Sequence, residues 1–228
     1  MSEKYHKIEG VFKRDNETKN VVYGKYKNPI VEQLKDTPWI CTEKVDGTNV
    51  RIIWDGHNVS FAGRTDKAQF HPTLTDRLEE LFGGDAMEDL FEERFGENTA
   101  ILFGEGYGTK IQKVGHMYRD DVDFIMFDLM VNGRYRSYGE MKEVAEHFNI
   151  DSVDGRVYNH LEDAVAHVHG GLRSEVSIKQ DMEAEGLVCK PYPNELYDLN
   201  GKRVIVKVKA KDIVEMGRYF RERGQSNG

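Results

Sequence analysis

Short apolar runs separated by glycine-containing turns constrain the fold of this chain more than any other feature. Several of these runs are joined by Asp-Gly or Asn-Gly pairs, at Asp55-Gly56, Asn132-Gly133 and Asn200-Gly201. Turns this tight connect neighbouring strands that run in opposite directions. The sequence therefore predicts antiparallel-rich sheet. The predicted strands cover residues 21–23, 39–43, 50–54, 59–62, 100–104, 124–131, 186–190 and 204–209.

Apolar residues at helical spacing lie between the predicted strands. Asn159 is predicted to be the N-cap of one of these helices, because Glu162 follows three residues later, before an apolar run. Strands paired by tight turns with helices inserted between them indicate an α+β fold. The predicted helices cover residues 75–81, 87–95, 140–148, 161–168 and 211–223.

Composition places the chain among soluble globular proteins. Its 228 residues fit one domain or at most two small ones, and 39% are hydrophobic while 32% are charged. No apolar run approaches the ~18 residues of a membrane helix, and the first residues lack an apolar signal core. A cytoplasmic location without a membrane partner is the expectation. Cys41 and Cys189, the only cysteines, suggest neither a disulfide scaffold nor a thiolate zinc site.

Charge is unevenly distributed along the chain. The net charge of -8 argues against broad coating of nucleic acid, yet residues 201–223 contain eight basic and three acidic side chains. The segment 211–228 is accordingly predicted to be a basic C-terminal helix and tail. Such a segment is either an ordinary solvated face or a phosphate-binding surface.

The sequence Lys44-Val45-Asp46-Gly47 carries the most specific chemical signal. Strands are predicted on both sides, so Lys44 falls where a strand ends and a turn begins. One interpretation is a solvated lysine beside a hairpin turn. The other is a lysine nucleophile held in a pocket. These four residues alone do not decide between the two.

Further motifs in a fixed order favour the nucleophile. The Lys44 segment resembles the K-x-[DH]-G motif of covalent nucleotidyltransferases, a group that includes ATP-dependent DNA ligases, RNA ligases and mRNA-capping enzymes. Five more family-like elements follow it. They are Gly63-Arg64-Thr65, Phe103-Gly104-Glu105-Gly106, Phe124-Ile125-Met126-Phe127-Asp128, Glu185-Gly186-Leu187-Val188-Cys189-Lys190 and Val206-Lys207-Val208-Lys209.

One position separates the branches of this superfamily. DNA ligases and capping enzymes usually have arginine five residues after the nucleophile, where this chain has Asn49. Gly47-Thr48-Asn49 resembles instead the phage-type RNA ligases that seal nicks in duplex RNA during RNA repair. The resemblance implies a single nucleotidyltransferase domain over residues 1–228, with its motifs between residues 44 and 209. It also implies joining of a 3′-hydroxyl to a 5′-phosphate through a Lys44–AMP intermediate.

The resemblance also implies the site residues. Lys44, Lys207 and Lys209 would be catalytic, and Glu185 would bind Mg²⁺ or Mn²⁺. The ATP contacts would be Glu43 on adenine, Arg64 and Glu105 on ribose, Phe127 stacked on the base and Lys190 on phosphate, with Asn49 and Asp128 supporting the pocket.

Several alternatives stay open at this stage. Phe124 competes with Phe127 as the stacking residue, and Lys207 and Lys209, which share one strand face, would also suit an exposed face. Rival functions are a DNA ligase or capping guanylyltransferase and, in another class, a non-catalytic nucleic-acid-binding module. Only about 18 residues follow the last motif, so a complete ligase, an isolated catalytic domain and an enzyme with an accessory protein are all compatible.

Overall fold

A computed structural model describes residues 3–179 and 181–214. These residues form two compact units, each assembled from three separate stretches of chain. The six-stranded unit contains residues 3–6, 45–153 and 176–179, and the five-stranded unit contains residues 7–44, 154–175 and 181–214. The prediction of one catalytic domain stays a prediction.

Helices are inserted between groups of strands along the described chain. The strands are β1 (Glu9–Gly10), β2 (Phe12–Arg14), β3 (Val21–Tyr26), β4 (Trp39–Glu43), β5 (Thr48–Trp54), β6 (Val59–Gly63), β7 (Ala100–Gly108), β8 (Val122–Val131), β9 (Arg134–Tyr135), β10 (Asp151–Ser152), β11 (Gly155–Tyr158), β12 (Gly186–Pro191) and β13 (Val206–Lys209). The helices are α1 (Pro29–Leu34), α2 (Pro72–Phe82), α3 (Asp85–Phe95), α4 (Gly115–Tyr118), α5 (Tyr138–His147), α6 (Leu161–His169) and α7 (Ala210–Val214).

The six-stranded unit is built on a sheet of order β10-β8-β7-β5-β6, with β9 paired to β8. Its neighbours are antiparallel except β10, which runs parallel to β8. Alternation along β5 places Val50, Ile52 and Trp54 in the core that the helices cover. From α2, Leu74 and Leu78 enter the same core because residues four apart share a helix face.

The five-stranded unit is built on a sheet of order β1-β13-β12-β4-β11. Only β1 pairs in parallel, with β13. Helix α6 buries one apolar face, including Leu161 and Val165, in a core shared with Val206 and Val208 of β13. Strands β2 and β3 form a separate antiparallel pair.

The α+β prediction is confirmed, and so are the three predicted turns. Asp55-Gly56 joins the antiparallel pair β5 and β6, and Asn132-Gly133 joins β8 and β9. Asn200-Gly201 lies within an antiparallel bridge between Tyr197 and Arg203. Among the described residues, no helix is long and apolar enough to cross a membrane.

Asp46-Gly47 is not the turn of a hairpin. Strand β4 pairs with β11 and β12, whereas β5 pairs with β6 and β7. A strand has only two edges for ladder hydrogen bonds, so β4 and β5 cannot also pair with each other. The interpretation of Lys44 as a solvated hairpin lysine is therefore wrong.

Several predicted element ends differ from the structure, and those of α6 and β13 are examples. The cap of α6 is His160, which makes no side-chain capping bond, rather than Asn159. The amide of Leu161, at the start of α6, donates instead to the Lys35 carbonyl, at 2.8 Å, so a tertiary contact replaces the local cap. The predicted strand 204–209 begins at Val206. Of the predicted helix 211–223, residues 215–223 lie outside the described residues.

Candidate functional site

Lys44 lies directly after β4 in the five-stranded unit. Its backbone amide donates to the Gly186 carbonyl at 2.9 Å, which holds the end of β4 beside the start of β12. Its Nζ donates to Oε2 of Glu185 at 2.5 Å. The Lys44 side chain is 25% exposed and that of Glu185 is 21% exposed. The Lys44 ammonium therefore lies in a partly closed polar site rather than in open solvent.

The register between β12 and β13 adds a second lysine to this site. Gly186 pairs with Lys209, and Val188 pairs with Lys207. Lys209 Nζ consequently donates to Oε1 of Glu185, the carboxylate oxygen that Lys44 leaves unused. Lys44, Glu185 and Lys209 form one ion cluster, which we call the lysine cluster.

The two lysines of the lysine cluster determine the ionisation state of Glu185. Burial raises the pKa of a carboxyl group, but hydrogen bonds from Lys209 and Lys44 outweigh burial and hold the pKa of Glu185 below its ordinary value. Glu185 is therefore ionised at neutral pH. An ionised carboxylate that is still partly exposed can orient an amine or accept a cation.

Lys207 lies beside the lysine cluster in an unfavourable environment. Burial lowers the pKa of Lys207, and the neighbouring charges of Lys209 and Lys44 lower it further. The valines on either side of it are buried, which orients Lys207 to the other strand face. The solvated-face interpretation does not fit a lysine whose charged form is disfavoured in this way.

We expect Lys207→Met to stabilise the protein against unfolding, by up to about 1 kcal/mol, because it removes a disfavoured charge and keeps the aliphatic stem. The folded pKa of Lys207 lies below the unfolded value, so its charge destabilises the fold fully at neutral pH. That effect disappears as pH rises through the unfolded pKa, near 10.5. The advantage of Lys207→Met should shrink accordingly in urea unfolding curves measured from pH 7 upward. Lys13→Met, at an exposed position of β2, is the control. Destabilisation by Lys207→Met would contradict the conclusion that the charge of Lys207 is unfavourable in the fold.

Glu43, the predicted adenine contact, is held by a loop that the motifs did not indicate. Its two carboxylate oxygens accept hydrogen bonds from Ser174 Oγ at 2.6 Å and from the Glu175 amide at 2.8 Å. Ser174 is therefore a positioning residue that sequence reasoning missed. Little in the sequence indicates this role, because a single serine in a loop belongs to no motif.

Lys190, the predicted phosphate contact, is buried in β12. Its side chain is 6% exposed and pairs with Glu195 at 3.1 Å, while Glu195 also accepts from Arg203 at 2.5 Å. This arrangement neutralises the lysine within the protein. The phosphate role of Lys190 stays a prediction.

Two predicted nucleotide contacts face each other in the six-stranded unit. Asn49 of β5 pairs in register with Glu105 of β7. Oδ1 of Asn49 is buried and has no hydrogen-bond partner among residues 3–179 and 181–214. A buried acceptor left unpaired is unfavourable, so this atom fits a site completed by a bound donor. Arg64 follows β6 and is exposed.

The structure separates the two candidate stacking residues. Phe124 is buried in the helix-covered core and lies over Gly104, where any side chain would overlap its ring. Phe127 is half-buried at a bulge in β8, on the other side of the sheet, with the Tyr5 ring centroid at 5.1 Å. Tyr5 also donates to Asp128 at 2.7 Å. Phe124 is thus committed to the core, and Phe127 stays the predicted stacking residue.

The side chains available as ligands near Glu185 determine how a divalent cation could bind. No group of three His, Cys, Asp or Glu side chains suited to a metal ion occurs in the described part of the chain. Glu185 is a single carboxylate. Mg²⁺ is commonly held by one or two carboxylates, with waters and substrate phosphates as the other ligands. Glu185 fits a cation that arrives with phosphate, rather than a permanently bound one.

Comparison with known proteins gives a family for this chain. A family model described as RNA ligase matches residues 37–209, which include every motif discussed above. No curated protein sequence matches the chain.

Solved structures of Naegleria gruberi RNA ligase are similar to this chain. The ligase with PPi is 19% identical to it, covers 83% of this chain and 54% of its own, and gives a TM-score of 0.61. A mutant with ATP and Mn is 18% identical, with the same coverage and score. A mutant with AMP and Mn is 18% identical, covers 83% and 55%, and scores 0.61. The predicted nucleotidyltransferase fold is thereby confirmed, while the chain spans about half the length of these ligase chains.

Proposed function

The chain belongs to the RNA ligase family, and from this we propose that it is an ATP-dependent RNA ligase that acts through a Lys44–AMP adduct. The single observation that carries the proposal is the lysine cluster, with Lys207 beside it. Lys44, Glu185 and Lys209 come from three dispersed motifs, yet both lysines bond to the one carboxylate of Glu185. A partly closed site with several cations suits phosphoryl chemistry, which depends on positioning and on neutralising charge.

In the first step Lys44 acts as the nucleophile. Glu185 holds Nζ in place, and the lysine must first lose a proton because an ammonium has no lone pair. The lone pair of Nζ then forms a bond to the α-phosphorus of ATP. The bond from that phosphorus to the bridging oxygen of the β-phosphate breaks, and its electron pair leaves with pyrophosphate. A second proton passes from nitrogen to solvent.

Lys207 and Lys209 would stabilise this step. Negative charge develops on the α-phosphate oxygens and on the leaving oxygen, and preorganised cations neutralise it. A Mg²⁺ or Mn²⁺ ion bound at Glu185 would supply further positive charge to the phosphates. Structures of Naegleria gruberi RNA ligase, including mutants, have been solved with ATP and Mn, with AMP and Mn, and with PPi, which supports these ligands for the present chain.

The next two steps complete the ligation. The 5′-phosphate of an RNA end takes AMP from Lys44, which regenerates the free amine. A 3′-hydroxyl then attacks that phosphate, and AMP leaves as the phosphodiester forms. The RNA is proposed to be a nicked duplex, and an accessory protein, a cytoplasmic location and a role in RNA repair are part of the same proposal.

The predicted contacts of the six-stranded unit complete the proposal. Arg64 and Glu105 would bind ribose, Phe127 would stack on adenine, and the unpaired Oδ1 of Asn49 would accept a hydrogen bond once ligand is present. In the five-stranded unit, Glu43 would recognise adenine and Lys190 would contact phosphate.

The discriminating experiment offers one protein two matched nicks. We expect a nick with ribonucleotides on its 3′-hydroxyl side to be sealed at least about tenfold faster than an all-DNA nick, because RNA differs through its 2′-hydroxyl and A-form shape. Sealing is measured on gels with a labelled 5′-phosphate. Equal rates on both nicks would favour the DNA-ligase alternative, and label transfer from GTP rather than ATP would favour a capping enzyme.

A further inference from the structure

The segment of residues 3–6, which we call the N-terminal strap, lies on the face of the six-stranded sheet that carries predicted nucleotide contacts. Alternation along β7 places Phe103 and Glu105 on the face opposite the helix-covered core. Asn49 pairs in register with Glu105 and therefore shares that face. The Tyr5 ring of the strap packs there against Phe103, with the two ring centroids 4.9 Å apart. The strap and the proposed adenosine contacts thus share one face of the sheet.

A bulge in β8 turns two neighbouring motif residues toward the strap. Met126 and Leu129 both belong to the helix-covered core. The bulge interrupts the alternation between them, so that Phe127 and Asp128 are both directed away from that core. Tyr5 contacts both residues. Its ring lies 5.1 Å from the Phe127 ring, centroid to centroid, at an edge-on angle of 73°, and its Oη donates to Oδ2 of Asp128 at 2.7 Å.

The position of Tyr5 is itself fixed by its surroundings. The His6 ring stacks on the Tyr5 ring with the centroids 4.9 Å apart, and the Tyr135 ring centroid lies at 6.0 Å. Arg51 of β5 is fully buried and donates to the Glu3 carbonyl at 3.3 Å, which anchors the start of the strap. A ring that is held on several sides can in turn restrict the side chains that it contacts.

The Arg51 guanidinium also holds the loop that follows β6. Its Nε donates to the Gly63 carbonyl at 2.8 Å, and its Nη2 donates to Asp66 at 2.7 Å. Arg64, the predicted ribose contact, lies between these two residues in sequence. A buried cation is unfavourable unless its donors are paired, so these bonds hold the loop and the strap to one side chain. Arg51 therefore ties the strap to the segment that carries Arg64.

We propose that Tyr5, which precedes every motif of the chain, is a positioning residue for the adenine ring of ATP. The proposal rests on the ligase function above, with Phe127 as the stacking residue. The Tyr5 ring restricts Phe127 to the orientation that receives the base, and the Tyr5 hydroxyl restricts Asp128 beside it. A side chain that is ordered before the ligand arrives does not lose its freedom on binding, which favours affinity. Tyr5 acts on the base and not on the α-phosphate, so it should affect ATP affinity rather than the chemical step.

The test measures binding and stacking without turnover, in Lys44→Arg protein, with 2-aminopurine riboside triphosphate as the probe. The fluorescence of this base is quenched when it stacks on an aromatic ring, and Phe127→Ala should remove most of that quenching. Tyr5→Ala should raise the Kd of the probe about tenfold and weaken the quenching at saturation, because Phe127 must then be ordered on binding. Tyr5→Phe keeps the ring and should stay within about threefold of the parent protein. Tyr5→Leu retains apolar volume and replaces Tyr5→Ala if alanine prevents folding.

Tyr138→Ala is the matched control, because Tyr138 is a partly buried tyrosine of the same unit that packs on the helix-covered core instead. It should lower the melting temperature and leave the Kd of the probe within about twofold. With Lys44 intact, Tyr5→Ala should raise the KM for ATP about tenfold and keep the adenylylation rate at saturating ATP within about twofold. General loss of stability does not produce that difference between KM and kcat.

Three results would overturn the proposal. They are an unchanged Kd and unchanged quenching in Tyr5→Ala, an equal rise in Kd in Tyr138→Ala, and tighter binding by Tyr5→Ala, which would mean that the strap obstructs the site. If the wild-type protein forms Lys44–AMP in any of these cases, the ligase function stands and only the role of Tyr5 is lost. If the probe binds in a Tyr5-dependent way but the wild-type protein forms no Lys44–AMP, the base site stands and the ligase function fails.

Discussion

Lys44→Arg should form no covalent adduct with AMP. Arginine keeps a positive charge that can pair with Glu185, so the fold should persist, but a guanidinium is not deprotonated in proteins and offers no nucleophilic lone pair. Loss of a covalent nucleophile reduces rates on the order of 10⁴-fold or more. Label from the α-phosphate of ATP should therefore reach the wild-type protein and not the variant on denaturing gels.

Three controls sharpen this result. Lys35→Arg, at a partly exposed lysine paired with Asp36, should be labelled like wild type. Label on the γ-phosphate should not be transferred, and the wild-type adduct should be labile in acid and stable in base, as expected for a phosphorus–nitrogen bond. Lys44→Arg should still seal RNA that is already adenylylated. Labelling of Lys44→Arg at the wild-type rate would refute the covalent mechanism.

Lys209→Ala should slow adenylylation on the order of 10²- to 10³-fold, the loss expected for one donor aimed at developing charge. Lys209 bonds to Glu185 and also lines a cavity bordered by further cations, so its loss removes both contacts at once. Lys209→Arg should recover only part of the rate, since a planar fork does not replace a compact ammonium. Single-turnover label transfer at saturating ATP measures the step directly.

The matched control for this prediction is Lys202→Ala, which removes an exposed lysine of the same unit. Its rate should equal that of wild type. A wild-type rate in Lys209→Ala would favour the alternative in which Lys209 is an ordinary lysine on an exposed strand face. Equal losses in Lys202→Ala and Lys209→Ala would mean that net charge, rather than position, controls the reaction.

The local sequence pattern predicted which side chains belong to the candidate site, but not the tertiary contacts that bring them together. Alternation along β13 places Val206 and Val208 in the core and Lys207 and Lys209 on the other face, as expected. The sequence could not show that Lys209 and Lys44 share Glu185. That contact depends on the register between β12 and β13, which is set by packing across the sheet rather than by neighbours in sequence.

The same dependence on tertiary contacts explains why the hairpin interpretation of Asp46-Gly47 and the predicted Asn159 cap are wrong. Asp46-Gly47 has the composition of a hairpin turn, but turn chemistry specifies a local reversal and not which strands then pair. The expected Asn159 cap is replaced by a backbone bond that the Leu161 amide donates to the carbonyl of Lys35, a residue far away in sequence. Ser174 belongs to no motif, and its bond to Glu43 joins residues 131 positions apart, which only the tertiary fold brings together.

The assembly of each unit from three separate stretches has a consequence for how this protein folds. In the five-stranded sheet Trp39 pairs with Pro191, and Glu9 pairs with Val206. Closing such long loops before their contacts form is slow, so a high contact order and slow folding are expected. A nascent chain released before β12 and β13 are synthesised would leave β4 without its neighbour β12 and β1 without its neighbour β13. The lysine cluster would thus form only after residue 209 has been synthesised, since Glu185 and Lys209 complete it.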